Sequence, residues 1–324
     1  GKWSAAAPYF EKTVSLAPDT KLSRSAQRYL DAIPGRGAAK RWSLNVSAGA
    51  QYDTNVILGP DDRPLPLTVP DKDDWRAVFM LKGRFNLISG EKGDASVGYS
   101  IYQSFHRDLD DFNMRQQVAD LRGGVRLTRL VTLRGMYAFE YYNLGEDKYG
   151  YNHLLSPSLV ITEGPGIFTT LEYKWRSDTF YNGDVFPNNS DRTGTWQSVG
   201  ATQDFSLSKG ITMKAGYAHY WDDAKVDWWS YKGDEAFAKL SFELPYRTFL
   251  DLSGGYRAYR YDGVFPTFGV SRRDDTWTAA ATAGMHITPR LTLFVGEAYT
   301  HNSSNIADFT YTRYVTSIFL NARF

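Results

Sequence analysis

Five histidines, His106, His153, His219, His286 and His301, are the side chains best suited to proton transfer or metal binding near neutral pH. They fall on different predicted strands or loop ends, with no metal-ligand spacing among them. No Gly-x-Ser-x-Gly elbow is present, and the absence of cysteine removes thiolate metal sites and disulfides. The sequence therefore gives no catalytic set, no metal site and no cofactor site, and the expectation is a protein that is not an enzyme. The residues that can do work are charged side chains recurring at every second position: Arg76, Lys82, Arg84, Arg122, Arg134, Glu140, Glu172, Lys174, Arg176, Lys239 and Arg257. Asp120, Arg126, Lys214, Glu235, Glu243, Asp251 and Arg323 belong to the same set. Mixed charges on one face of a sheet suit either a hydrated lumen that something polar traverses or a salt-bridged interior that stiffens a barrel.

Those charges are positioned by long alternating runs that begin at Arg41. Trp42, Leu44, Val46, Ala48, Ala50 and Tyr52 alternate with Ser43, Asn45, Ser47, Gly49, Gln51 and Asp53. Trp75 to Leu87 and Val131 to Tyr142 repeat the pattern, as do Ile167 to Arg176 and Glu235 to Leu244. A period of two marks a strand with one apolar face. These runs exceed the usual strand of about 5–6 residues, and strands that cross a bilayer need about 9–11. A lipid-facing Arg or Lys at mid-bilayer costs roughly 2–4 kcal/mol, so the charged faces are expected to point inward. Two stretches are less regular. Pro157 lies within Leu154 to Thr162 and predicts a bulge or weak pairing, and Glu297 shares parity with Leu291, Leu293 and Val295, which leaves its facing open. Inward glycines such as Gly49, Gly124, Gly216, Gly255 and Gly284 suggest space for water or an inserted segment.

Tight turns are predicted near 89–93, 128–130, 163–166, 208–210, 245–247 and 288–290. Between them fall longer acidic loops: Gly59 to Asp74, Arg107 to Asp111, Gly145 to Gly150, Asn182 to Arg192, Asp222 to Asp227, Asp262 to Asp275, and Asn302 to Asp308. Six turns and seven loops separate fourteen strands. Short turns on one rim and long loops on the other is the asymmetry of outer-membrane barrels. The even count puts both termini on the short-turn side, which would be periplasmic. The acidic clusters Asp108/Asp110/Asp111, Asp222/Asp223 and Asp274/Asp275 could hold Ca²⁺ or lipopolysaccharide-linked cations, or be solvated loops.

Composition fits this picture. Mean hydropathy is −0.43, and no run of 18 apolar residues exists, which excludes a transmembrane helix but not a barrel. Aromatics make up 15% of residues, enough for two interfacial girdles. The net charge of +1 gives no electrostatic case for nucleic acid. The chain starts at Gly1 without a signal peptide, as expected of a mature or trimmed product. Residues 4 to 33 read as two helices, so the expected domains are a helical segment over 1–35, a linker over 36–40 and a barrel over 41–324.

Three resemblances accompany these readings. Ala7 to Asp19 (APYFEKTVSLAPD) resembles the second helix of a tetratricopeptide repeat, and the strand ending at Phe324 resembles the targeting signal read by the barrel assembly machinery. Ala50 to Asp62, with Tyr-Asp-Thr-Asn-Val at 52–56, resembles the first strand and loop of the surface lipoprotein assembly modifiers, in which a tetratricopeptide domain precedes a fourteen-stranded barrel. The resemblance implies an all-β, fourteen-stranded antiparallel transmembrane barrel with a short helical, tetratricopeptide-like segment. It would be a monomer in the outer membrane of a Gram-negative bacterium, in contact with lipid and lipopolysaccharide. It further implies passage of client proteins, either surface lipoproteins or secreted haem-binding proteins, through a lumen and a laterally weak seam. Tyr52, Asp53, Asn55, Tyr314, Leu320 and Phe324 would lie near that seam. Alanine at Tyr52, Asp53 and Asn55 would then reduce client display without reducing barrel abundance. The alternatives are a monomeric passive porin for sugars and an exopolysaccharide export barrel.

Overall fold

The computed structural model describes residues 41–62 and 71–324, together with Phe10, Thr13, Val14, Ser25, Ala26, Tyr29 and Leu30. Fourteen strands follow in order: β1 (Trp42–Asp53), β2 (Asp74–Ser89), β3 (Gly93–His106), β4 (Met114–Arg126), β5 (Val131–Leu144), β6 (Asp147–Gly164) and β7 (Ile167–Phe180), then β8 (Gly194–Ser208), β9 (Ile211–Ala224), β10 (Tyr231–Leu244), β11 (Thr248–Phe265), β12 (Val270–His286), β13 (Leu291–Ser304) and β14 (Tyr311–Arg323). Each pairs antiparallel with its neighbours in sequence, and β14 closes on β1. Strands about 4.8 Å apart and tilted about 40° give such a ring a circumference of about 88 Å and a backbone radius of about 14 Å.

The alternation decides what faces where. Trp75, Phe79, Leu121, Val199, Trp277 and Ile318 are exposed on the outer surface, while the opposite parity carries the charges. Tyr217, Tyr256 and Trp277 mark an aromatic rank on the outside of β9, β11 and β12. Further toward the loop rim, Lys232, Arg260 and Arg273 lie side by side in register. The apolar belt ends between these two ranks, as expected where a slab of lipid gives way to water.

Several expectations change. Residues 145–150 and 262–275 are not loops: β5–β6 turns at Gly145 and Glu146, and β11–β12 turns over 266–269. Their charges sit on strands that continue past the apolar belt. Pro157 causes no bulge, whereas the expected weak pairing is present. The β6–β7 ladder skips Ser156 and Pro157 and resumes in the same register, while Pro157 stays opposite Gly135 on β5. Glu297 pairs with Ala281 and Thr316 on the outward face, where the Thr316 hydroxyl donates to its carboxylate at 2.6 Å. Because it lies one alternation below the paired Tyr299 and Tyr314 rings, the charge sits near the girdle and its cost falls below the mid-bilayer value.

The inward glycines do not leave open space. A Cβ on Gly49 would lie 2.2 Å from the Ile318 carbonyl and 2.5 Å from the Phe319 ring, and a Cβ on Gly284 would meet Phe249 at 2.3 Å. The rings lie flat against the wall where a side chain is missing. Gly49→Val should therefore displace Phe319 from its stack on Phe294, 5.4 Å away, and weaken β1–β14. The expected result is a urea midpoint lowered by the equivalent of about 1–3 kcal/mol, measured as loss of the folded form.

Of residues 1–40, the seven described have helical backbone, with Phe10 and Val14 packed on Leu30 and Phe10 stacked on Tyr29 at 5.2 Å. The expected tetratricopeptide-like helices and the 36–40 linker otherwise lie outside the described residues.

Candidate functional site

The expected lumen residues all fall on the inner wall, most of them paired. Arg84 donates from Nη2 to Asp120 at 2.7 Å and from Nη1 to Ser96 at 2.9 Å, and Arg122 donates to the same carboxylate at 2.7 Å. Arg134 faces Asp94 at 3.5 Å, Lys174 faces Glu172 at 2.9 Å and Arg176 faces Asp178 at 2.8 Å. Lys239 reaches Asp251 at 2.8 Å, and Arg257 reaches Glu235 at 3.2 Å. Glu140 accepts from the Tyr142 hydroxyl and from Asn152. Lys82 is exposed on the wall and has no ion pair among the described residues. Neighbours of opposite sign, some across strands and some two residues apart on one strand, thus keep the wall close to neutral locally, and the cross-strand pairs also stiffen it.

Toward the tight-turn rim a cavity of about 510 Å³ is lined by Phe168, Asp204, Thr212, Lys214, Lys239 and Ser241, and Ser25 reaches it as well. Lys214 and Lys239 are directly opposite each other in register. Each is held by its own carboxylate, Lys214 by Asp204 at 3.1 Å and Lys239 by Asp251. Two lysines placed together would repel without those acids.

Toward the loop rim, β8 to β11 carry a run of rings. Trp196 packs on Tyr220 at 5.2 Å, Tyr220 on Tyr259 at 6.3 Å, Tyr259 on Tyr231 at 4.7 Å and Tyr231 on Tyr261 at 5.3 Å. Guanidinium groups stand at both ends: Arg176 is 4.9 Å from the Trp196 centroid and Arg272 is 4.8 Å from that of Tyr261. Arg272 also lies 3.5 Å from the Phe309 centroid and is bonded to Asp274. Sequence reasoning missed these rings: alternation puts each on the inner face, but they come from different strands and nothing local joins them.

The seam motif has a structural explanation. Asp53 and Asn55 are fully buried. The Asp53 carboxylate accepts from both ends of the Arg313 guanidinium on β14, with Nε at 2.9 Å, and faces Arg76 of β2 at 3.3 Å. Asn55 exchanges bonds with Gly59 at 2.8 Å in each direction and donates to the Thr312 carbonyl at 3.2 Å. Asp61 accepts from the backbone and hydroxyl of Thr312. Tyr52 lies outside, against Trp75, and Tyr314 against Tyr299. Leu320 and Phe324 are exposed on the outer face. The β1–β14 ladder has nine register pairs against twelve for β1–β2, and Leu44 and Phe324 add two backbone bonds at its end. It is a short seam with a charged lock at the loop end.

The histidines do not converge. His153, His219 and His301 face outward on separate strands, where they meet Tyr137, Asp234 and Thr312, and His286 faces inward with Thr292. Two acidic clusters are split by the alternation. Asp274 faces in, with Arg272, while Asp275 faces out, with Arg260. Asp222 and Asp223 divide in the same way, so neither pair forms a single site.

No protein-family model and no curated protein matches the sequence. Among solved structures, the chain is similar to the CymD monoaromatic hydrocarbon channel (10% identity, 87% of this chain and 88% of that one, TM-score 0.48). It is also similar to Pseudomonas putida OprB (12% identity, 93% and 96%, TM-score 0.48) and to the translocator domain of the autotransporter NalP from Neisseria meningitidis (14% identity, 99% and 98%, TM-score 0.36). What this barrel does has to come from its own residues.

Proposed function

We propose that the chain is a channel of the bacterial outer membrane that passes small polar solutes through its lumen. The observation that carries this reading is the reversal of chemistry across a closed wall: Trp, Leu, Val and Phe outside, and ion pairs inside. Backbone groups in hydrocarbon must all be bonded, which only helices and closed barrels achieve, and no described helix is long and apolar enough to cross a membrane. Barrels of about eight strands are filled by their own side chains, whereas those of 16–18 leave an aqueous channel. At fourteen, a polar lining is most simply the lining of water. The near-neutral wall favours solutes without strong charge. Tight turns on the rim that carries both strand termini support a periplasmic location for that rim. Proteoliposomes containing the barrel should swell in isotonic neutral monosaccharide and stop responding as the sugar lengthens; no swelling with any of them would overturn the reading.

One observation favours client translocation as a second reading, namely the shortness of the β1–β14 ladder. Lateral opening would have to break the Asp53–Arg313 pair and the Asn55–Thr312 bond, so the seam is built to stay shut. A disulfide placed across it separates the two readings, since translocation through the seam would stop and solute flow would not.

A further inference from the structure

We propose that the ring-lined stretch of the inner wall from β8 to β11 is a binding site for neutral oligosaccharides. The proposal rests on the channel reading and names the class of solute. Sugars present two kinds of surface, apolar C–H faces and a rim of hydroxyls. A matching site needs flat aromatic faces flanked by groups that both donate and accept hydrogen bonds, as most ligand sites combine an apolar lining with a few placed polar groups.

Both features are present. Trp196, Tyr220, Tyr231, Tyr259 and Tyr261 form a continuous chain of contacts on the inner wall. All five remain partly accessible. Tyr259 is laid flat by Gly233: a Cβ there would sit 2.2 Å from the ring. One face of the ring therefore covers the strand and the other is turned toward the lumen. Gly216 does the same for Phe237 on the same wall, where a Cβ would meet the ring at 2.5 Å. Glycine opposite an aromatic ring is thus used twice on this wall to present a flat face.

Charge decides between a neutral and an anionic sugar. Three arginines of the stretch each have their own carboxylate: Arg176 with Asp178, Arg257 with Glu235, and Arg272 with Asp274. Asp222 adds an acid on the same wall, opposite Trp196 and Tyr231. Arg192 has no ion pair among the described residues but lies within electrostatic reach of Asp178 and Asp222, so four arginines face four carboxylates. No net positive charge is left to recognise a carboxylate or a phosphate, and an acidic sugar would meet Asp222 and Glu235. Bonded Arg–Asp and Arg–Glu pairs still offer donors and acceptors to hydroxyls. Such pairs suit hydroxyl-rich, uncharged rings.

The test uses the full barrel in a zwitterionic, sugar-free detergent and titration calorimetry, which does not depend on whether the pore conducts. The probes are maltohexaose and cellohexaose, with hexagalacturonate as the charged comparison. We expect one or both neutral hexasaccharides to bind and hexagalacturonate to bind more weakly. Trp196→Ala and Tyr259→Ala should each weaken binding about tenfold, the loss of a stacked anchor, while Tyr259→Phe, which keeps the ring face, should stay within about threefold. Heat-dependent gel mobility confirms that each variant is folded. Absence of binding by both neutral sugars, tighter binding by the uronate, or unchanged affinity in both folded alanine variants would overturn the proposal. A barrel that binds these sugars but does not conduct would overturn the channel reading alone.

Discussion

Asp53→Ala should lower the stability of the barrel by about 3–5 kcal/mol, the usual cost of removing one partner of a buried ion pair. Asp53 is wholly buried at the end of β1 and, among the described residues, is the one carboxylate paired with both Arg76 and Arg313. Without it, two guanidinium groups from β2 and β14 face the same space across β1. Asp53 also accepts from the backbone N–H of Asn55 at 3.1 Å, so the turn that feeds the Asn55 bonds loosens as well. These bonds hold the loop end of the shortest ladder in the barrel, where the ring can open at least cost. Arg313→Lys keeps the charge but loses the two-pronged contact, and should lie between wild type and Asp53→Ala. The measurement is the urea midpoint of the folded form followed by gel mobility. A midpoint for Asp53→Ala equal to wild type would remove the lock from the account. A loss of this size also means that alanine substitution in the 52–55 motif changes the barrel itself, so barrel abundance must accompany any measurement of client display.

The second large effect concerns ion selectivity. With most wall cations paired, wild-type channels should show a reversal potential close to zero across a tenfold KCl gradient. The double substitution Asp204→Asn with Asp251→Asn leaves Lys214 and Lys239 side by side with no acid to balance them. Both lysines line the cavity near the tight-turn rim. At 0.1 M salt the Debye length is about 10 Å, comparable with the space inside the wall, so two uncompensated charges act on ions across the pore. The reversal potential should move toward the anion side, by tens of millivolts and short of the ideal limit of about 59 mV. A shift of the opposite sign, or none, would place the conducting path elsewhere than along this wall.

Much of the fold was legible because the side-chain period of a strand is two and a lipid-facing surface penalises charge at every other position. The runs from Trp42 and Trp75, and the strand ending at Phe324, therefore showed both their facing and their length. Glu297 could not be assigned in this way, because a single carboxylate on an apolar parity has the same period as its neighbours. The hairpins at 145–150 and 262–275 read as loops because their acids resemble loop composition, although these strands run beyond the apolar belt, where charge is no longer penalised. Inward glycines suggested empty space; only the cross-strand register shows that Phe319, Phe237 and Phe249 cover Gly49, Gly216 and Gly284. The Tyr52–Asn55 motif was visible, yet its main partner, Arg313, is 260 residues from Asp53, and nothing local reports that closure. For the same reason sequence reasoning missed the wall rings, whose contiguity comes from four separate strands.

On the proposed function, solute moves through the lumen of a barrel whose seam stays closed. The chain contains no cysteine, so Ala50→Cys with Ile318→Cys, directly opposite across β1 and β14, gives a single reversible disulfide at the seam. Single-channel recording of this variant in planar bilayers separates flow through the lumen from passage through an opened seam. Steady, ohmic openings of the same size before and after reduction are expected. The absence of openings, or openings that occur only once the disulfide is reduced, would contradict the proposed function.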